Sequence, residues 1–177
     1  RQYGYSPFKQ RALDEACYFH DIGKLEIQDD ILKFPGRLTN RQYETIKTHP
    51  ERGAKFIQDI PIPLLNRKII ENIVLYHHER WDGKGYPHGL AGKDIPLEAR
   101  IVAVADTWDA MTSHRCYKEA MSVPDAVAEL KRVRGTQLDP DVVDVFLVIL
   151  DTILQKEKLH SSVTTISEQD PSTAASV

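Results

Sequence analysis

Six residues of two chemical types could act together in this chain: His20, Asp21, His49, His77, His78 and Asp106. Imidazole nitrogens and carboxylate oxygens suit borderline or harder metals such as iron, manganese or zinc. The set contains no thiolate of the kind a structural zinc site uses. Taken singly, each histidine reads as an ordinary core or surface residue. Asp106 changes that, because it follows Ile-Val-Ala-Val-Ala on what reads as a buried helix. A buried carboxylate without a partner is very costly. Four imidazoles and two carboxylates brought together would satisfy one another by holding metal. Asp21 supplies a carboxylate able to bridge two ions, which an imidazole cannot do. Two ions about 3.5–4 Å apart can share a hydroxide and stabilise an in-line attack on phosphorus. The chemistry this set suits is metal-assisted phosphoester hydrolysis.

The elements that must position these residues read as helices throughout. Ser6-Pro7 offers a cap and a first-turn proline, and the stripe Ala12, Leu13, Ala16, Cys17, Phe19 leads to His20-Asp21 and stops near Gly23. Thr39 with Gln42 reads as a capping box. Pro50 ends that helix at His49 and opens the next, toward Ile60. Leu65, Ile69, Ile73 and Tyr76 have helical spacing and deliver His77-His78 at their end. Gly83, Gly85, Gly89 and Gly92, with Pro87 among them, mark residues 79–94 as a loop with demanding backbone angles. A helix resumes at Pro96 and carries Asp106; two more are expected over Ser122–Gly135 and from Asp139 to about Leu154. From about His160 the chain is Ser/Thr/Ala-rich and reads as a tail or linker. The expected architecture is an all-α, single-domain bundle over residues 1–158, with 159–177 as the tail.

The bulk composition narrows the partners. At 177 residues the chain suits one buried core. A net charge of -3 gives no general attraction to DNA or a membrane, so an anionic ligand needs a local basic cluster. Cys17 and Cys116 have no CxxC spacing, which points to a reducing compartment. There is no 18-residue apolar run and no charged-then-apolar leader. The expectation is a cytoplasmic protein without a membrane segment.

The order of the motifs is specific. His20-Asp21-Ile22-Gly23-Lys24 resembles the HD motif of the metal-dependent phosphohydrolases, and His77-His78-Glu79-Arg80-Trp81-Asp82-Gly83-Lys84-Gly85-Tyr86-Pro87 resembles the HD-GYP signature. Ile31–Thr39, His49-Pro50, Ala99–Asp106, Asp109–Ser113, Arg115, Tyr117-Lys118 and Asp139-Pro140 continue the match, so that it covers roughly residues 13–147.

That resemblance implies an all-helical bundle of the HD type with a Gly-rich GYP loop. The activity it implies is hydrolysis of cyclic di-GMP to the linear dinucleotide or GMP, with two or three metal ions, iron or manganese foremost. It makes His20, Asp21, His49, His77, His78 and Asp106 the ligands, with Asp21 bridging. Lys24 would contact the reacting phosphate or polarise the nucleophile. Arg115 and Lys118 would hold the dinucleotide; Arg suits a bidentate contact and Lys a point charge. Gly85 and Tyr86 would form the pocket lip, where Tyr86 packs on a base or on a partner protein. Asp109, on the same helical face as Asp106, would support the ligands or face substrate, or else serve as an ion-pair partner. Glu79 and Asp82 are expected to structure the loop, and His88, His114 and His160 to lie on the surface. The family usually has an earlier helix that donates another His. Nineteen residues precede His20 here and none is His, so one metal position is expected to be incomplete or that helix to lie outside this sequence. A regulatory domain upstream, diguanylate cyclases with a GGDEF domain and a second copy of the chain are the partners the family admits. The alternative function is a cyclic-dinucleotide sensor, or a docking module for those cyclases, with little or no catalysis. The intact ligand set and Lys24 favour the enzyme.

Overall fold

The start signals in the sequence are used as written. The computed structural model describes residues 4–61, 66–114 and 119–167. Helix α1 (Pro7–Phe19) begins at Ser6, whose hydroxyl accepts from the Lys9 N–H, with Pro7 in the first turn. A 3-10 turn over Ile22–Glu26 and a short α2 (Asp29–Leu32) follow. The capping box of α3 (Asn40–Ile46) forms in both directions, the Thr39 side chain accepting from Gln42 N–H and the Gln42 side chain from Thr39 N–H. Pro50 then sits in the first turn of α4 (His49–Asp59), where its missing N–H costs nothing. Helices α5 (Arg67–Tyr76), α6 (Leu97–Thr112), α7 (Val123–Val133) and α8 (Pro140–Ser167) complete the order. Among the described residues there is no strand, only an isolated bridge between Arg134 and Leu138.

Helix α8 passes the end near Leu154 that periodicity suggests and runs on to Ser167. The physical reason lies in composition. Gln155, Lys156, Glu157, Lys158 and Leu159 are good helix formers, and no Gly or Pro stops the chain before Pro171.

Residues Arg1–Val143 form one compact unit, and Asp144–Val177 a second. In the first, Ala16 of α1, Ile57 of α4, Ile70, Ile73 and Val74 of α5 and Val102 of α6 pack into one buried cluster. Close approach makes this possible at Gly23, where a Cβ would stand 1.9 Å from the His49 carbonyl oxygen and 2.6 Å from the Gly53 nitrogen. No side chain fits there, so the HD segment lies directly on the start of α4. A buried ion pair between Arg100 and Asp139 ties α6 to the start of α8, and Asp139 also accepts from the Asp141 N–H at 2.8 Å as its cap. In the second unit Val148, Ile149 and Ile153 of α8 are exposed.

Candidate active site

His20 and His77 cap the ends of α1 and α5, and His49 opens α4 just past the end of α3; these positions orient all three rings. The last carbonyls of a helix lack intrahelical partners. His20 Nδ1 lies 2.7 Å from the Cys17 carbonyl of α1 and His49 Nδ1 lies 2.8 Å from the Ile46 carbonyl of α3. His77 Nδ1 lies 3.1 and 3.0 Å from the Ile73 and Val74 carbonyls of α5. A carbonyl only accepts, so Nδ1 carries a proton, and in the neutral ring Nε2 holds the lone pair. This arrangement fixes the tautomer a metal-binding imidazole requires.

The Nε2 atoms converge on Asp21. Its Oδ1 is 3.2 Å from Nε2 of His49 and 3.8 Å from Nε2 of His77; its Oδ2 is 3.4 Å from Nε2 of His20 and 2.6 Å from Nζ of Lys24. The two oxygens therefore face different histidines. Ligand atoms of Asp21, His49, His77 and His78 all lie within 4.8 Å of one another. His20 stands at the rim, with Nε2 3.9 Å from Oδ1 of Asp106. Asp106 is not buried as its apolar run suggests; its side chain is 33% exposed, because the helix face that carries it opens on the site.

The electrostatics suit cations. Burial pushes the Asp21 carboxyl up, but hydrogen bonds from the His20, His49 and His77 rings in their protonated form, together with the Lys24 ammonium, outweigh it and hold it far below the usual range. His20 is raised, chiefly by the Asp21 carboxylate. His78 is pushed down to about 2, by burial first and then by His77 and His49 beside it. Oδ1 of Asp21 and Nε2 of His49 and His77 are buried without hydrogen-bond partners. Buried polar atoms are normally paired. An anionic oxygen and two imidazole lone pairs, aimed at one point, fit a metal ion.

The Gly-rich loop closes over His78. A Cβ at Gly85 would come within 2.6 Å of Arg80 N, Glu79 Cα and His78 O, so only glycine lets the loop fold back on the histidine pair. Tyr86 N–H then donates to the His78 carbonyl, and its ring stacks on His78 with centroids 4.8 Å apart. Burial raises the Tyr86 hydroxyl pKa, so the phenol stays neutral. Arg80 and Asp82 form a two-pronged pair at 3.0 and 2.8 Å, and Glu79 accepts from the His88 N–H at 2.7 Å. Both acids structure the loop, as expected. Asp109 is exposed, accepts from the Ser113 hydroxyl and stays outside the four-residue cluster. His88 and His114 are exposed. Arg115 and Lys118 lie outside the described residues.

Sequence reasoning passed over Tyr43 and Lys47, which lie one helical turn apart at α3 and its end. Nζ of Lys47 is 5.6 Å from the Tyr86 ring centroid and 5.8 Å from that of Tyr43. Their i, i+4 spacing two residues before His49-Pro50 was a readable signal. Beside them a recess of about 200 Å³ is lined by Tyr43, Tyr86, His77, His78, Glu79 and Gln137 among others.

The chain is similar to a known family and to several known proteins. The HD domain family matches residues 1–142. The cyclic di-GMP phosphodiesterase response regulator RpfG of Xanthomonas campestris is 44% identical over 146 residues, which is 82% of this chain and 38% of that protein. A cyclic di-GMP phosphodiesterase of Thermotoga maritima is 40% identical over 146 residues, 81% of this chain and 39% of that protein. The 3'3'-cGAMP-specific phosphodiesterase 2 of Vibrio cholerae is 34% identical over 145 residues, 82% of this chain and 27% of that protein. The chain thus spans well under half the length of these relatives. A solved cyclic GMP-AMP specific phosphodiesterase of V. cholerae shares the fold, with a TM-score of 0.64 and 19% identity over 85% of this chain and 40% of that one. The chain belongs to the HD domain family and carries the HD-GYP signature within it.

Proposed function

We propose that this chain is the catalytic module of a metal-dependent phosphodiesterase that hydrolyses cyclic di-GMP to the linear dinucleotide or GMP. The observation that carries the reading is the convergence of three carbonyl-anchored imidazoles on the two oxygens of Asp21. In this reading His20, Asp21, His49, His77, His78 and Asp106 would hold the metal ions, two or three of iron or manganese. The metal would supply an activated water and neutralise charge at phosphorus.

The protein's own groups do the rest. Asp21 stays ionised and His78 stays neutral, so neither must lose a proton to bind a cation. Lys24, anchored on Asp21, offers its remaining donors to a phosphate oxygen. Asp21 and Lys24 are each more than a third exposed, whereas His49 and His77 lie beneath them, so substrate enters from the Lys24 side. Arg115 and Lys118 hold the dinucleotide, Gly85 and Tyr86 form the lip, and Asp109 faces the substrate from α6. Residues 1–158 constitute the module and 159–177 a tail or linker. In the cell it would work in the cytoplasm under an upstream regulatory domain.

The test is elemental analysis of the purified protein together with chromatography of cyclic di-GMP digests. Metal bound with linear dinucleotide or GMP formed supports the reading. A metal-loaded protein that leaves cyclic di-GMP intact would sink it.

A further inference from the structure

The two oxygens of Asp21 stand in unlike surroundings. Oδ1 lies 3.2 Å from Nε2 of His49 and 3.8 Å from Nε2 of His77, and both of those side chains are fully buried. All three atoms are buried without a hydrogen-bond partner, and a buried polar atom is costly until something pairs with it. Among the described residues, Asp21, His49, His77 and His78 bring ligand atoms within 4.8 Å of one another, and neither His20 nor Asp106 belongs to that group. Oδ2 lies 3.4 Å from Nε2 of His20, which is itself 3.9 Å from Oδ1 of Asp106, and these two side chains are 22% and 33% exposed. This outer oxygen already has a cation, because the Lys24 ammonium donates to it at 2.6 Å.

We propose that Lys24 makes the metal positions unequal: the buried set of Asp21 Oδ1, His49, His77 and His78 takes a first divalent ion tightly, while Lys24 holds the outer oxygen against a second. This rests on the metal-dependent function proposed above. The inner atoms gain a partner on binding and give up none. A dication among His20, Asp106 and Oδ2 must either displace the ammonium or sit beside it. Displacement breaks a charge-assisted hydrogen bond. Sitting beside it sets two cations against each other where solvent screens them only in part. Lys24 is 39% exposed on a flexible four-carbon stem, so its position competes for the oxygen without being needed to hold the fold together. The module therefore keeps one ion at low metal concentration and fills the outer position only as the concentration rises. Its state is tied to metal supply.

The experiment titrates the metal-free protein with manganese by isothermal calorimetry and reads the electron paramagnetic resonance of the bound manganese on the same samples. Wild-type protein should bind in two unequal steps, the second weaker by about tenfold or more. Lys24→Met should tighten the second step by about tenfold or more, the scale of one partly screened unit charge, and change the first several-fold less. Its resonance should show the exchange-coupled signal of neighbouring ions at a lower total metal concentration than wild type. Lys24→Arg, which keeps the charge, should bind as wild type does, and Asp106→Asn should weaken the second step alone. Far-UV circular dichroism establishes that each variant is folded. Two equal steps in the wild-type protein overturn the inequality. A second step that Lys24→Met leaves unchanged, or equal changes in both steps, overturns the role of Lys24 while the proposed function stands. A folded protein that shows no tight step overturns both.

Discussion

Nε2 of His49 lies 3.2 Å from Oδ1 of Asp21, within ion-pairing distance, yet neither atom makes a hydrogen bond. His49 is fully buried, and its other nitrogen is bound to the Ile46 carbonyl. A lone pair and an anionic oxygen held this close repel unless a cation lies between them. The first prediction follows from that pair. Asp21→Asn should abolish metal binding, whereas Asp106→Asn, at the exposed rim, should lose only part of the metal. Elemental analysis of the two variants separates the roles; full occupancy in Asp21→Asn would remove the carboxylate from the site.

Lys24 donates to Asp21 at 2.6 Å and is 39% exposed, so it is anchored at one end and free toward solvent. Lys24→Ala is expected to keep the metal and slow turnover of cyclic di-GMP roughly a hundred- to thousandfold, the usual loss when one charge-stabilising donor is removed. Steady-state kinetics with metal content measured on the same samples decides it. An unchanged kcat would make the lysine a counter-charge for Asp21 and nothing more.

Gly23 meets the start of α4 with no room for a side chain. Gly23→Ala should therefore displace the HD segment from His49 and cost about 1–3 kcal/mol by overpacking. Urea denaturation of the metal-free protein reads the stability, and titration with manganese reads the site. A variant of wild-type stability and affinity would show that the HD segment and α4 can separate freely.

The pH behaviour of His78 has a definite sign. Its folded pKa is depressed to about 2, below the 6.5 of the unfolded chain. Above pH 6.5 both states are neutral there and the residue adds no pH dependence. As pH falls below 6.5 the unfolded state takes up a proton that the folded state refuses, so stability is lost at roughly 1 kcal/mol per pH unit. His78→Ala removes this term. The stability of the metal-free variant relative to wild type should rise as pH is lowered from 7 to 5 in denaturant titrations. A constant difference would mean that His78 protonates in the folded protein.

Much of this was legible in the sequence, because helix starts and metal-type side chains are local properties. Ser6-Pro7, the Thr39–Gln42 box and Pro50 each placed a helix boundary within reach of His20 or His49, and Ile69, Ile73 and Tyr76 pointed to a helix that ends at His77. The ordered HD and HD-GYP motifs supplied the family. Other features belong to neighbours that the chain meets only on folding. The exposure of Asp106 depends on the helix face that opens on the site, not on the apolar run before it. The two oxygens of Asp21 are divided between His49 with His77 on one side and His20 with Lys24 on the other, because Gly23 lets the HD segment settle on α4. Tyr43 and Lys47 gained their place only when α3 met the loop carrying Tyr86, forty residues away in sequence but beside it in the fold. Types and spacing determined which atoms could bind a cation; packing decided where their lone pairs point and what stands beside them.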